Sequence, residues 1–154
     1  MLTPLLSFLI GFFAGLRSLT APAVTAWAAH LGWLRLDRPL ALIGSTVSVW
    51  ILTVIALGEL IADKLPQTPS RTAPPGLIAR IVTGGLSGAC IAVAGGQGAF
   101  IGALLGALGG VIGCFGGYQV RTRLVKALNT RDIYVAIVED VVAIAGSLWV
   151  VSRF

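Results

Sequence analysis

Charge in this chain is confined almost entirely to the ends of six apolar stretches, roughly residues 3–16, 21–34, 40–60, 76–96, 98–118 and 133–151. Stretches of this kind must be hidden from water. With 56% hydrophobic residues and 11% charged ones, the chain lacks the polar surface to wrap them in a soluble domain. The last four stretches are each near the ~20 residues that a helix needs to cross a hydrocarbon core. In lipid every backbone N–H and C=O must be satisfied internally, which selects helices. The expected fold is therefore all-α, a polytopic transmembrane helix bundle forming one integral membrane domain over residues 1–154. Residues 1–16 carry no basic leader and no small-residue cleavage site, so the N-terminus is expected to be retained.

The first two stretches are short. At 1.5 Å per residue, 14 residues make about 21 Å of helix. The connection Gly15-Leu16-Arg17-Ser18-Leu19-Thr20-Ala21-Pro22 reads as a helix stop and restart, with Ser18 or Thr20 able to cap the second helix and Pro22 suited to its first turn. Two short tilted spans, a re-entrant hairpin and one long kinked helix all fit.

A net charge of +5 would suggest nucleic acid for a soluble protein. Here it reads as the positive-inside signal, and nucleic acid is not expected as a partner. Arg17, Lys64, Arg71, Arg80, Arg121, Arg123, Lys126 and Arg131 fall on one side of the alternating segments, and Arg35, Arg38 and Arg153 on the other. The first group is expected to be cytoplasmic, in a cell or inner membrane, with the 64–80 and 121–131 loops on that face. Tyr118 and Tyr134 bracket the 119–132 loop at one interface, and Trp33 and Trp149 mark the other. The group Arg121, Arg123, Lys126 and Arg131 is most simply this topology signal, with anionic lipid as the partner of a secondary reading.

Small residues form a second pattern. Gly98, Gly102, Gly106, Gly110 and Gly113 recur every three or four residues and make one smooth helix stripe, while Gly84 and Gly88 share a face with Arg80. Such stripes let backbones approach closely, either inside one bundle or between copies in a homo-oligomer. Gly11 and Gly15 align with Gly84 and Gly88 at an offset of 73 residues, which would allow inverted three-helix halves, a recurrent transporter plan. Glu59 and Glu139 do not superpose under that offset.

The third pattern is charge within or against apolar segments. Glu59 and Asp63 are four apart and share a helix face. Lys64 follows, then a proline-punctuated linker with Arg71. Arg80 lies near the start of segment four, and Glu139 and Asp140 lie six and seven residues into segment six. A lone charge at mid-bilayer costs about 2.5–3.5 kcal/mol even on lenient insertion scales. Arg17, Glu59, Asp63, Lys64, Arg71, Arg80, Glu139 and Asp140 are thus the candidate substrate- or ion-binding residues, four acids and four bases gathered in one half of the bilayer. They serve either as structural ion pairs or as a polar cavity in which carboxylates bind a cation or proton and arginines hold anionic groups. His30, the single histidine, is expected in a solvated or capping role near the other interface. Cys90 and Cys114 lie within apolar segments and read as small packing residues. No HExxH, CxxC, GxSxG or Walker pattern occurs, so no catalytic residue and no cofactor is assigned and an enzyme is disfavoured.

The strings GLRSLTAPAV (15–24), GELIADKLPQTPSRTAPPGLIARIVTGGLSGA (58–89) and VEDVVAIAG (138–146) together resemble an uncharacterised bacterial membrane family, domain of unknown function 4126. The resemblance implies a small polytopic inner-membrane protein. It also implies that Arg17, Glu59, Asp63, Lys64, Pro66, Arg71, Arg80, Glu139 and Asp140 are motif positions. It brings no reaction or substrate. The expected function is a transporter or channel for a small solute or ion, the alternative a structural or accessory membrane protein that assembles through its glycine faces.

Overall fold

The computed structural model describes residues 2–63, 72–129 and 131–154. Six α-helices follow one another: α1 (Thr3–Leu16), α2 (Thr20–His30), α3 (Thr46–Ala62), α4 (Pro74–Ala94), α5 (Ala99–Leu128) and α6 (Asp132–Val151), with a 3₁₀ turn at Leu40–Gly44 before α3. No strand occurs among the described residues. Local chemistry sets several of the ends. Prolines occupy the first turn of α1 and of α4, where a missing N–H costs nothing. The Ser45 hydroxyl accepts the Ser48 N–H at 3.2 Å and caps α3. Asn129 takes the left-handed conformation (φ 48°) that ends α5.

Three of these helices, α4, α5 and α6, are long and apolar enough to cross a membrane, and α1 and α3 are shorter apolar helices. Their outer faces carry Val47, Trp50, Val54, Ile61, Val82, Phe100, Ile101, Leu104, Val138 and Val141 in exposed positions. A hydrocarbon-facing surface of this extent has the build of an integral membrane protein.

Pairwise contacts fix the helix directions. Gly11 meets Gly106 and Gly15 meets Gly110, so α1 and α5 run parallel. Gly84 meets Gly106 and Gly88 meets Gly102, so α4 is antiparallel to both. Phe13 packs on Gly146 and Arg17 reaches Asp140, which makes α6 antiparallel to α1. Leu6 and Ile10 of α1 share a buried cluster with Ala28 of α2, Ile91 of α4 and Val150 of α6. The chain therefore doubles back after Arg17, and α1 and α2 form a helical hairpin, not one long kinked helix. Helix α3 returns along α2, with Gly44 beside Ala29, Trp27 bonded to Thr53, and Glu59 bonded to Ser18. As a result the α1–α2 turn, the end of α3, the start of α4, the last turns of α5 and the first turns of α6 lie at one end of the bundle.

Two expected boundaries are corrected. The segment expected over 21–34 is helical only to His30, and that over 40–60 begins its α-helix at Thr46. The loop expected at 119–132 is mostly helix, because α5 continues to Leu128 and leaves only residues 129–131 as connection. Arg, Leu, Lys and Ala are good helix formers, and no proline or glycine interrupts 118–128.

Helix α5 lies in the middle of the tightest packing, against α1 and α4. A Cβ on Gly84 would come within 2.6 Å of the Gly106 carbonyl oxygen, one on Gly15 within 2.5 Å of the Gly110 carbonyl oxygen, and one on Gly110 within 2.6 Å of the Arg80 carbonyl oxygen. Gly102, Gly106, Gly110 and Gly113 thus point at other backbones of the same chain, whereas Gly98 has open space. Of the glycines that align at the 73-residue offset, Gly11 and Gly84 face one another, a Cβ on Gly84 lying 3.5 Å from Gly11 Cα, whereas Gly15 and Gly88 meet α5 at different levels. The halves differ in helix length (14, 11 and 17 residues against 21, 30 and 20) and in pairing, α5 serving α1 and α4 alike while α2 packs on α3 and α6.

Candidate functional site

The polar junction begins at the break between α1 and α2. Helix α1 ends when Arg17 turns extended (φ −139°, ψ 111°). The turn carries the Arg17 side chain into the bundle, where it is 0% exposed. Its Nε donates to Asp140 Oδ1 at 2.5 Å and its Nη1 to Asp63 Oδ2. One guanidinium therefore joins the hairpin turn, the end of α3 and the body of α6. The planar fork of arginine makes this possible, since a lysine offers a single point of charge.

Glu59 has a different task. Its Oε1 accepts the Ser18 N–H at 2.8 Å and the Ser18 hydroxyl at 2.5 Å, and its Oε2 accepts the Leu19 N–H at 2.8 Å. These are free amides at the start of α2, which has no side-chain cap of its own. The expected caps Ser18 and Thr20 do not act as caps. A carboxylate delivered from α3 satisfies the orphan donors and sits at the positive end of the α2 dipole.

Arg80, buried in α4, was expected in an ion pair or holding an anionic group. Instead its Nε donates to the Gly15 carbonyl at 3.0 Å and its Nη1 to the Gly76 carbonyl at 2.9 Å. It closes the last turn of α1, where carbonyls lack helical partners. The hairpin turn is thus held by a cation on the carbonyl side and by an anion on the amide side.

Glu139 and Asp140 are neighbours in sequence but go to different places, as successive helical residues point about 100° apart. Asp140 faces Arg17. Glu139 Oε2 lies 3.4 Å from Arg121 Nη1, and the same guanidinium bonds Asp132 through Nε (2.8 Å) and through Nη2. Arg121 was grouped with the surface basic residues, yet it is an ion-pair centre that ties α5 to α6. Arg123, Lys126 and Arg131 are exposed.

Two polar atoms beside the turn are buried without a hydrogen-bond partner among the described residues, Arg17 Nη2 and Thr20 Oγ1. Thr20 also lines a cavity of about 150 Å³ between α2, α3 and α6, walled by Ala23, Trp27, Ala56, Leu60 and Ile144. Asp140 is one turn from Ile144, and Glu59 adjoins Leu60. The cavity thus abuts the junction. The unpartnered Arg17 Nη2 and the Thr20 hydroxyl are thus two unanswered polar groups beside the hairpin break, the second of them at the wall of this cavity.

Of the candidate residues, Arg17, Asp63 and Asp140 share one network, Glu59 and Arg80 flank it through the hairpin backbone, and Glu139 belongs to the neighbouring Arg121 pair. Lys64 and Arg71, like Pro66, lie outside the described residues. His30 Nδ1 is 2.9 Å from the Gly44 carbonyl oxygen and ties the end of α2 to the 3₁₀ turn at the far end of the bundle. No group of three or more His, Cys, Asp or Glu among the described residues could hold a metal ion. Thr20 and Asp132 escaped sequence reasoning. Thr20 had only a cap signal, and Asp132 fell at the end of an expected loop.

The chain belongs to the family described as "Domain of unknown function (DUF4126)", which its residues 5–152 match. No curated protein and no solved structure matches it.

Proposed function

We propose that this DUF4126 member is a transporter for a small solute or ion, built as one domain of the cell (inner) membrane, with the Arg17 junction as its binding site. The observation that carries the reading is the Arg17 guanidinium, 0% exposed, paired through Nε and Nη1, with Nη2 buried and unpartnered among the described residues. Leaving a buried donor of this kind unsatisfied costs about 1–3 kcal/mol, more for a charged group. A small anion or a carbonyl oxygen meeting Nη2 removes that cost. It also competes with Asp63 or Asp140 for the guanidinium, and an anion that enters together with a proton leaves the net charge of the junction unchanged. On this reading solute and proton move together. The positive-inside bias orients the junction toward the cytoplasm.

The test is flux in proteoliposomes containing a pH-sensitive dye, with an imposed chloride, nitrate or phosphate gradient. The protein should acidify or alkalinise the lumen with one of these anions, and Asp140→Asn should abolish the signal while helicity by circular dichroism is retained. Vesicles as tight as empty liposomes with all three anions would rule the reading out.

A structural or accessory role is the second reading, and one observation favours it. Glu59 already receives three hydrogen bonds, which is how a carboxylate that only builds the fold is used. On that reading the glycine stripe of α5, covered by α1 and α4, serves the bundle itself, and a homo-oligomer would meet through another face.

A further inference from the structure

Helices α5 and α6 are joined by only three residues, yet they touch sparsely along their length. Between them lies a groove of about 290 Å³, floored by Phe12 and Leu16 of α1 and walled by Val120 and Leu124 of α5 and Val138 and Val142 of α6. Its two charged liners, Arg121 and Glu139, bond each other and have side chains only 15% and 9% exposed. The groove therefore offers hydrocarbon to its occupant. At the same end of the bundle lie Arg123 and Lys126, in the last two turns of α5, and Arg131, immediately before α6. All three are exposed and form no ion pair among the described residues.

We propose that this groove seats an acyl chain of an anionic bilayer phospholipid, with the phosphate headgroup held by Arg123, Lys126 and Arg131. Three observations favour a lipid. The groove lies between two helices apolar enough to span a membrane, its surface is almost wholly apolar, and unanswered positive charge stands at one end only. An apolar slot in a bilayer fills with acyl chain by default, and the charge selects which lipid stays. Each basic residue near an anionic membrane surface contributes about 1 kcal/mol, so three favour an anionic over a zwitterionic lipid by on the order of a hundred-fold. Where the groove meets Arg121 and Glu139, the two are bonded to each other and largely buried, and expose little charge to an acyl chain. The site is separate from the Arg17 junction and does not depend on the transport reading.

The experiment uses the full chain, delipidated in a mild detergent and titrated with phosphatidylglycerol, with phosphatidylcholine and with inorganic phosphate. Melting temperature and native mass spectra are recorded. Phosphatidylglycerol should raise the melting temperature and appear as a bound adduct, at concentrations far below those at which phosphatidylcholine acts. Free phosphate should do neither. Val138→Trp and, separately, Leu124→Trp should remove the adduct by filling the groove, and two positions guard against one variant misfolding. Arg123→Gln/Lys126→Gln/Arg131→Gln should keep lipid binding but erase the preference for the anionic lipid. Equal effects of both lipids on the unaltered protein, or adducts that survive both tryptophans, would overturn the proposal. So would inorganic phosphate matching phosphatidylglycerol, or a dimer in the mass spectrum that either tryptophan dissociates, since the groove would then belong to a second copy.

Discussion

Arg17 is the largest of the fully buried side chains and joins three elements through two carboxylates. Removing it would take from Asp63 and Asp140 the guanidinium that they share. Breaking a buried pair by deleting one partner costs about 3–5 kcal/mol. Arg17→Gln should therefore lower the melting temperature in detergent sharply, and Arg17→Gln with Asp140→Asn should recover part of the loss. Additive losses instead would mean that the two residues do not interact. Arg17→Lys should recover less than full stability, because one ammonium cannot hold two carboxylates in the observed fork. Glu59 gives a milder outcome. Glu59→Ala removes the cap of α2 and should cost about 0.5–2 kcal/mol, with hydrogen exchange rising at the Ser18 and Leu19 amides. Unchanged exchange there would show that the cap is not used. That Arg17, Glu59, Asp63, Arg80 and Asp140 need polar partners was legible, because charge in an apolar segment must be answered. Who answers whom was not. Arg80 met backbone, and Glu139 parted from Asp140, because partner choice depends on helix rotation and on where a turn exposes its amides.

At the scale of the helix, α5 shows what spacing can and cannot reveal. Its glycine period made a smooth stripe legible, but the partner remained open until α1 and α4 were seen against it. Gly106→Leu should prevent a folded, monodisperse product, since its Cβ alone would fall on the Gly84 carbonyl oxygen and neither backbone can yield cheaply. Gly58 in α3 has nothing within 4 Å of a built Cβ. Gly58→Ala should instead raise stability by about 0.5–1 kcal/mol through helix propensity. Melting curves for the two variants that move in the same direction would contradict this packing. The expected loop at 119–132 failed because charge was taken as an end of structure. It marks where α5 leaves hydrocarbon, and the helix itself continues until Asn129.

For the molecule as a whole, the contacts gather the hairpin turn, the Arg121 pair and the α5–α6 connection at one end, and the topology proposed from the charge bias turns that end to the cytoplasm. Asn129→Cys should be labelled by an impermeant maleimide only when the membrane is opened, whereas Trp33→Cys should be labelled from outside in intact spheroplasts. Cys90 and Cys114 are buried and should stay unreactive in both. Labelling of residue 129 from outside would invert the topology.

The separation of Arg17 from its partners also has a consequence for synthesis. Asp63 is 46 residues downstream and Asp140 is 123. At roughly 5–20 residues per second, a ribosome delivers the second aspartate on the order of 6–25 s after the arginine. For about the first third of that interval the nascent hairpin has neither Asp63 for its cation nor Glu59 for its turn amides, and the Arg17 fork stays half-answered until Asp140 is made. The hairpin must dwell at the membrane surface or against the insertion machinery, and settle to its final depth only as α6 arrives. Biogenesis of this chain is therefore expected to run out of sequence order, its first two helices being among the last to seat.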